Sequence, residues 1–300
     1  MDMTQNKCCR HGASLRRRRR RRRKILRSII FSCSIIAVAV FVAVGSRMIT
    51  SGDGGTNRYD VEAGNNTYDN AVIENSKISE KNKIQNEQSM LDDIMNSTKY
   101  PKQLQELALK NEEALEFVYD YPTEHVKEHT IDLTEEASMD SVPLFVQWDK
   151  RWGYEKYSGN FFAASGCGPT TLSMVVVYLT HNRDASPIAV AKYSKEAGYS
   201  VDGSGSSWTL ISEGCRHYGV KAKTVALDES RMKAELDAGH PIVVNVGPGD
   251  FTDTGHFMVI TGYDDEGFSI NDPNSIEKSG KRWLFKNISS QIRAVWSMYV

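Results

Sequence analysis

Ser165-Gly166-Cys167-Gly168-Pro169-Thr170-Thr171-Leu172 leads into Leu172, Val175, Val176 and Leu179, the i, i+3, i+4, i+7 spacing of a one-sided helix. A helix over 168–180 therefore begins almost at the cysteine. Pro169 suits its first turn, where a missing N–H costs nothing, and the flanking glycines leave room for close approach to the sulfur. Unpaired N–H groups and the positive end of the helix dipole favour thiolate over thiol at such a position. That is what a nucleophilic cysteine requires.

Working outward, further helices are expected over 187–197, 208–219 and 229–238, the last opening at Asp228 and closing at Gly239. Strands are expected over 241–246, 256–263, 267–272 and 294–299, with Asp264-Asp265-Glu266-Gly267 joining the second and third as a hairpin. Helices first and antiparallel strands later is the segregated α+β pattern. The dense supply of aromatic and β-branched residues from Val142 to the C-terminus sets the folded domain at 142–300.

A thiolate needs a partner that accepts its proton and returns it to the leaving amine, and histidine has the suitable pKa. His256 is distinguished among six histidines beyond the N-terminal region because it opens the apolar strand Phe257 to Tyr263. Pairing of 256–263 with 267–272 sets Asp272 beside His256, where a carboxylate would fix the imidazole tautomer and orientation. Asn271 is its neighbour, but strand alternation points it to the other face. Gln147, at the end of Val142-Pro143-Leu144-Phe145-Val146, is the candidate donor to the oxyanion of a tetrahedral intermediate. Trp148, Trp152, Tyr154, Trp208 and the loop Gly203 to Ser207 are candidates for a cleft lining, with ordinary packing as the alternative.

The N-terminus tells of location. Residues 1–50 carry thirteen Lys and Arg, eight of them the run Arg16 to Arg23, against the single acid Asp2. That local balance is +12; with the whole chain at −1, the remaining 250 residues carry −13. So acidic a remainder does not attract nucleic acid through a general field. The Arg run abuts the uncharged apolar stretch Ile29 to Val44. With Arg27 and Arg47 snorkelling outward, 25–49 suffices for one helix of about 20 residues across a bilayer core of roughly 30 Å. The positive-inside rule keeps the tail 1–24 in the cytoplasm and exports the rest. A cleaved signal peptide ending near Val42 to Ser46 is the alternative. Residues 50–84, rich in Gly, Asn, Ser and acids, read as a flexible linker, and 85–141 as a helical pre-domain segment with helices 86–97 and 102–119 broken at Tyr100-Pro101. Of five cysteines only Cys167 and Cys215 lie in the exported part, too few for a disulfide scaffold, with a single Cys167–Cys215 bridge left open.

Val142 to Asp149, the Gly-Cys-Gly-Pro block at 166–169, Gly255-His256-Phe257 and Asn271-Asp272-Pro273 together resemble the peptidase C39-like family in its stand-alone bacterial form, related to the domains that trim double-glycine leader peptides in bacteriocin exporters. Helix 102–119 with Tyr121-Pro122 also looks like a segment preceding this domain in Gram-positive gut bacteria. The resemblance implies a papain-like cysteine peptidase fold, with a triad of Cys167, His256 and Asp272 and Gln147 at the oxyanion hole. A peptide or protein substrate, no cofactor or metal, and a monomeric catalytic domain are expected with that chemistry. The exporter peptidases are cytosolic, whereas the charge pattern here sets the domain outside.

Overall fold

The computed structural model describes residues 66–300, with side chains described from Ser79 onward. Its longer helices are α1 (Asn66–Asn96), α2 (Lys102–Lys110), α3 (Cys167–Thr180), α4 (Pro187–Glu196) and α5 (Glu229–Asp237). The helix expected from residue 86 thus begins 20 residues earlier, within the stretch expected to be a tether. The Arg-rich tail and the expected span 25–49 lie outside the described residues. Among the described residues no helix is long and apolar enough to cross a membrane.

Local chemistry accounts for the helix boundaries. Pro101, extended at φ −56° and ψ 145°, separates α1 from α2. The expected helix 102–119 is interrupted: Asn111 adopts φ −128°, and its side chain accepts the Glu113 N–H, opening a new 3-10 turn at Glu112–Ala114 before the short helix Leu115–Tyr119. An asparagine side chain here wins the backbone away from the continuous helix. Ser186 caps α4 through the Ala189 N–H with Pro187 in the first turn, and Asp228 caps α5 through the Arg231 N–H. The expected helix 208–219 is instead a short helix Thr209–Ser212 and a 3-10 stretch Gly214–Tyr218, divided at Glu213 and weakened by the glycine after it.

Six strands form one antiparallel sheet: β1 (Lys221–Thr224), β2 (Ile242–Val246), β3 (His256–Asp264), β4 (Gly267–Asn271), β5 (Arg282–Trp283) and β6 (Ile292–Tyr299), in the order β1-β6-β2-β3-β4-β5. The edge strands β1 and β5 escape the sequence pattern because one is polar (Lys-Ala-Lys-Thr) and the other has two residues. A bulge between Ile260 and Gly262 shifts the β3–β4 register and sets Val259 opposite Asn271.

Alternation along β2 and β3 divides the core. Val243, Phe257 and Val259 face one cluster with Leu172, Met174 and Val190, whereas Ile242, Val244, Met258 and Ile260 face another with Met232 and Ile288. The first face carries α3, with α4 behind it; the second carries α5 and the short helix Phe285–Ile288. The expected picture of helices on an antiparallel sheet therefore gains a second helical layer, required because both faces of the central strands are apolar. Each fully buried aliphatic side chain contributes about 1.5–3 kcal/mol by leaving water. A third cluster joins α1, α2 and the Leu115–Tyr119 helix to Phe161 and Ala163, just ahead of α3.

Candidate active site

Cys167 is the first residue of α3, partly exposed, with Gly166 as the preceding cap residue. Its flanking glycines are required by packing. A Cβ on Gly166 would lie 2.6 Å from the Phe162 ring, and one on Gly168 would lie 2.5 Å from the Ser206 hydroxyl oxygen. Burial alone would push the thiol up. The His256 hydrogen bond and charge, together with the backbone N–H groups of Phe257 and Gly168, outweigh it and hold Cys167 below its ordinary value.

His256 opens β3 opposite Val246 and is 6% exposed, close enough to the Cys167 sulfur to act on it. Its Nε2 lies 2.6 Å from Oδ1 of Asp272, a carboxylate with no exposed surface. That engagement leaves Nδ1 as the nitrogen available to the sulfur. Desolvation pulls the imidazole down, but the Asp272 carboxylate and the neighbouring sulfur raise it to about 10. Both shifts favour a thiolate–imidazolium pair at neutral pH. Asp272 is itself held: its Oδ1 accepts the Asn274 N–H at 2.8 Å and its own N–H donates to Ser279 Oγ at 2.9 Å.

Gln147 ties both halves of this arrangement together. Its backbone N–H donates to the carbonyl of Pro273, next to Asp272, at 2.7 Å. Its side-chain Nε2 donates to the carbonyl of Ala163, four residues before Cys167, at 2.8 Å. The amide is 4% exposed and retains a second N–H beyond that bond. A thiol held low beside a buried imidazole–carboxylate pair, with an amide N–H close by, is an arrangement capable of acyl transfer through sulfur.

The family described as Peptidase_C39 like matches residues 139–300. The chain belongs to that family. Among solved structures it is similar to the peptidase domain of Streptococcus ComA, a bifunctional ABC transporter involved in quorum sensing, at 18% identity over 53% of this chain and 96% of that one, with a TM-score of 0.39. A putative C39-like peptidase from Bacillus anthracis gives 16% identity, 53% and 95% coverage and a TM-score of 0.34. A double-glycine motif protease from an AMS/PCAT transporter in complex with the leader peptide gives 18%, 53%, 91% and 0.34. No curated protein matches the chain.

The other candidate positions in this C39-like chain divide by environment. Trp152 is core, 1% exposed, and its indole N–H donates to Val146 O. Tyr154 stacks on Phe117 at 4.2 Å, and Trp148 donates to Asn274 O. Only Trp208 among these aromatics is well exposed, at 47%, with its edge against Trp296, whose ring neighbours Phe257. The loop Gly203 to Ser207 reaches the start of α3 beside Cys167, since Ser206 packs on Gly168 and bonds the Tyr157 hydroxyl at 2.6 Å. Cys167 and Cys215 are both free thiols, so the bridge left open by the sequence is absent. Asn271, read as a neighbour of the orienting acid, instead donates to the carbonyls of Val142 and Pro143 at 3.0 and 3.1 Å and fixes the approach to Gln147. A strand-end amide opposite an extended proline-containing segment was the available signal for that role. Among the described residues no group of three or more His, Cys, Asp or Glu is arranged to hold a metal ion.

Proposed function

We propose that this chain is a membrane-anchored cysteine peptidase that hydrolyses peptide bonds outside the cytoplasmic membrane, with Cys167 as nucleophile, His256 as general base and acid, Asp272 as orienting carboxylate and Gln147 as oxyanion donor. The observation that carries the reading is the buried His256–Asp272 contact of 2.6 Å beside a cysteine whose thiol is held below its ordinary value. Family membership supports the peptidase class.

In this mechanism the Cys167 sulfur attacks the scissile carbonyl carbon, and the developing oxyanion is held by the free Gln147 N–H and the Cys167 backbone N–H. Protonated His256 gives its proton to the leaving amine, the C–N bond breaks and a thioester remains. His256 then takes a proton from water as the oxygen attacks the thioester, and the proton returns to the sulfur side as the acid leaves. Asp272 accepts the Nε2–H and keeps it pointed away from the sulfur.

The export half of the proposal rests on Arg16 to Arg23 abutting an uncharged apolar run, and on a remainder carrying −13. The proposed division keeps tail 1–24, anchor 25–49 and peptidase domain 142–300, with the expected linker 50–84 giving way to helix from Asn66 and the helical segment running on to 141. The test is a peptide electrophile that labels reactive thiols, applied to the full chain alongside a diverse peptide library. Labelling and cleavage that both vanish in Cys167→Ala and His256→Ala are expected. Labelling without hydrolysis, and with product joined to an added amine, would instead make the enzyme a transpeptidase; no labelling of reduced protein would make the cleft a peptide-binding surface.

A further inference from the structure

The turn after β4 decides where the Asp272 carboxylate points, because Oδ1 takes two bonds, one from His256 Nε2 at 2.6 Å and one from the Asn274 N–H at 2.8 Å. That turn is gripped by side chains from far upstream. Asn111 Nδ2 donates to the Asn274 carbonyl at 2.9 Å and to Asn274 Oδ1 at 3.1 Å. Glu113 Oε2 accepts the Ile276 N–H at 2.7 Å and the Glu277 N–H at 3.1 Å, while Ser275 Oγ donates to Glu113 Oε1. Five hydrogen bonds from two side chains thus converge on Asn274 to Glu277. They cross about 160 positions of sequence, so nothing local would form them.

The two side chains are held from behind. Asn111 Oδ1 accepts the Glu113 N–H at 3.1 Å, which links the pair. Leu104, Leu107, Ala114, Phe117 and Val118 on either side are buried against Phe161 and Ala163. Ala163 is the residue whose carbonyl receives the Gln147 amide. The segment 102–119 therefore packs beside the nucleophile's approach at one point and bonds the carboxylate's turn at another. Both Asn111 and Glu113 lie ahead of residue 139, where the family match begins.

We infer that Asn111 and Glu113 are positioning residues for catalysis, and that segment 102–119 is a brace fixing the Asp272 turn so that its carboxylate orients His256. The inference rests on the reading of Asp272 as the orienting group. Without the brace the turn keeps only the bonds from Gln147, Trp148 and Ser279. It loosens, Oδ1 strays from Nε2, the imidazolium is less well held, and with it the Cys167 thiolate. Such a misplacement of order 1 Å, far from the reacting bond, costs about 10²-fold in rate.

The test uses the full chain with the substitutions Asn111→Ala, Glu113→Ala, Glu113→Gln and the double Asn111→Ala/Glu113→Ala. Met232→Ala, a fully buried change on the opposite side of the sheet, is the stability control. Iodoacetamide alkylation of Cys167 is followed by mass spectrometry across pH, with kcat and KM measured on a cleaved library peptide. In the double variant kcat should fall about 10- to 100-fold with KM little changed, and the alkylation midpoint should move up toward that of an ordinary thiol. Glu113→Gln keeps an acceptor oxygen and should retain most of both, which a charge effect alone would not allow. Met232→Ala should lower the unfolding temperature and leave the midpoint in place. If the double variant does not fold, the Glu113→Ala and Glu113→Gln pair decides the question. A wild-type midpoint below that of an ordinary thiol that stays put in folded Asn111 and Glu113 variants overturns the brace alone. An ordinary thiol profile in the wild type overturns the brace and the peptidase reading together.

Discussion

Cys167 and Cys215 belong to the same apolar cluster and have opposite chemistry. Burial pushes Cys215 up to about 11 with little to oppose it, which makes an inert filler. At Cys167 the same penalty is overcome by His256 and two backbone N–H groups. The reactive form therefore occupies the window between a lowered thiol and an imidazole near 10. A plot of kcat/KM against pH should be bell-shaped, with its alkaline limb near 10 and its acid limb below the ordinary thiol value of 9.0. Stability carries a related signature. The folded value of His256 lies above its ordinary 6.5, so the protonated ring stabilises the fold fully below about 6.5 and this contribution is lost as pH rises through about 10. The advantage of wild type over Asp272→Asn in urea midpoint should accordingly be largest near pH 6.5 and fade by pH 10. Gln147→Ala should lower kcat by about 10²–10³ while KM and the unfolding midpoint change little, since the lost bond to Ala163 also removes an amide oxygen that lies buried without a partner. Cys167, His256 and Asp272, which the fold brings together, stood out in the sequence because each sits at an element boundary with its own signature. Asn111 and Glu113 were not, because an amide and an acid ending an amphipathic helix look like solvated surface until the chain folds.

Elements with a strong period were legible to within a residue or two: α3, α4, α5, β2, β3, β4 and β6 all occupy the stretches their patterns predict. The misses follow from short-range competition. Asn111 splits an amphipathic run by capping its own neighbour, and Glu213 with Gly214 divides another. The bulge at Ile260–Gly262 was equally invisible, since nothing in the side chains marks one unpaired residue. The β3–β4 hairpin depends on Gly267, at φ 135°, where an added Cβ would lie 2.6 Å from the Trp283 carbonyl oxygen. Gly267→Ala should destabilise the fold by about 1–3 kcal/mol through a disfavoured backbone conformation and that clash, read as a lower urea midpoint. It should also weaken activity, because β4 delivers Asp272.

For the molecule as a whole, residues 70–300 form one compact unit, and the brace makes residues ahead of the family match part of its working geometry. A boundary drawn at 142 from composition cuts across that brace, because its hydrogen bonds are tertiary and leave no periodic trace. The proposed export rests on the charge pattern: in intact cells an added protease should remove the C-terminal domain while the Arg-rich tail stays protected, and deletion of 1–49 should leave the domain inside. The proposed chemistry nonetheless turns on a single sulfur. The most direct measurement is the pH dependence of iodoacetamide alkylation at Cys167 in the full chain, wild type beside His256→Ala, with Cys215 as the internal reference. Rapid Cys167 alkylation well below pH 9, abolished in His256→Ala while Cys215 stays unreactive in the folded protein, is the predicted result. A Cys167 that titrates as an ordinary thiol, or one indifferent to the loss of His256, would contradict it.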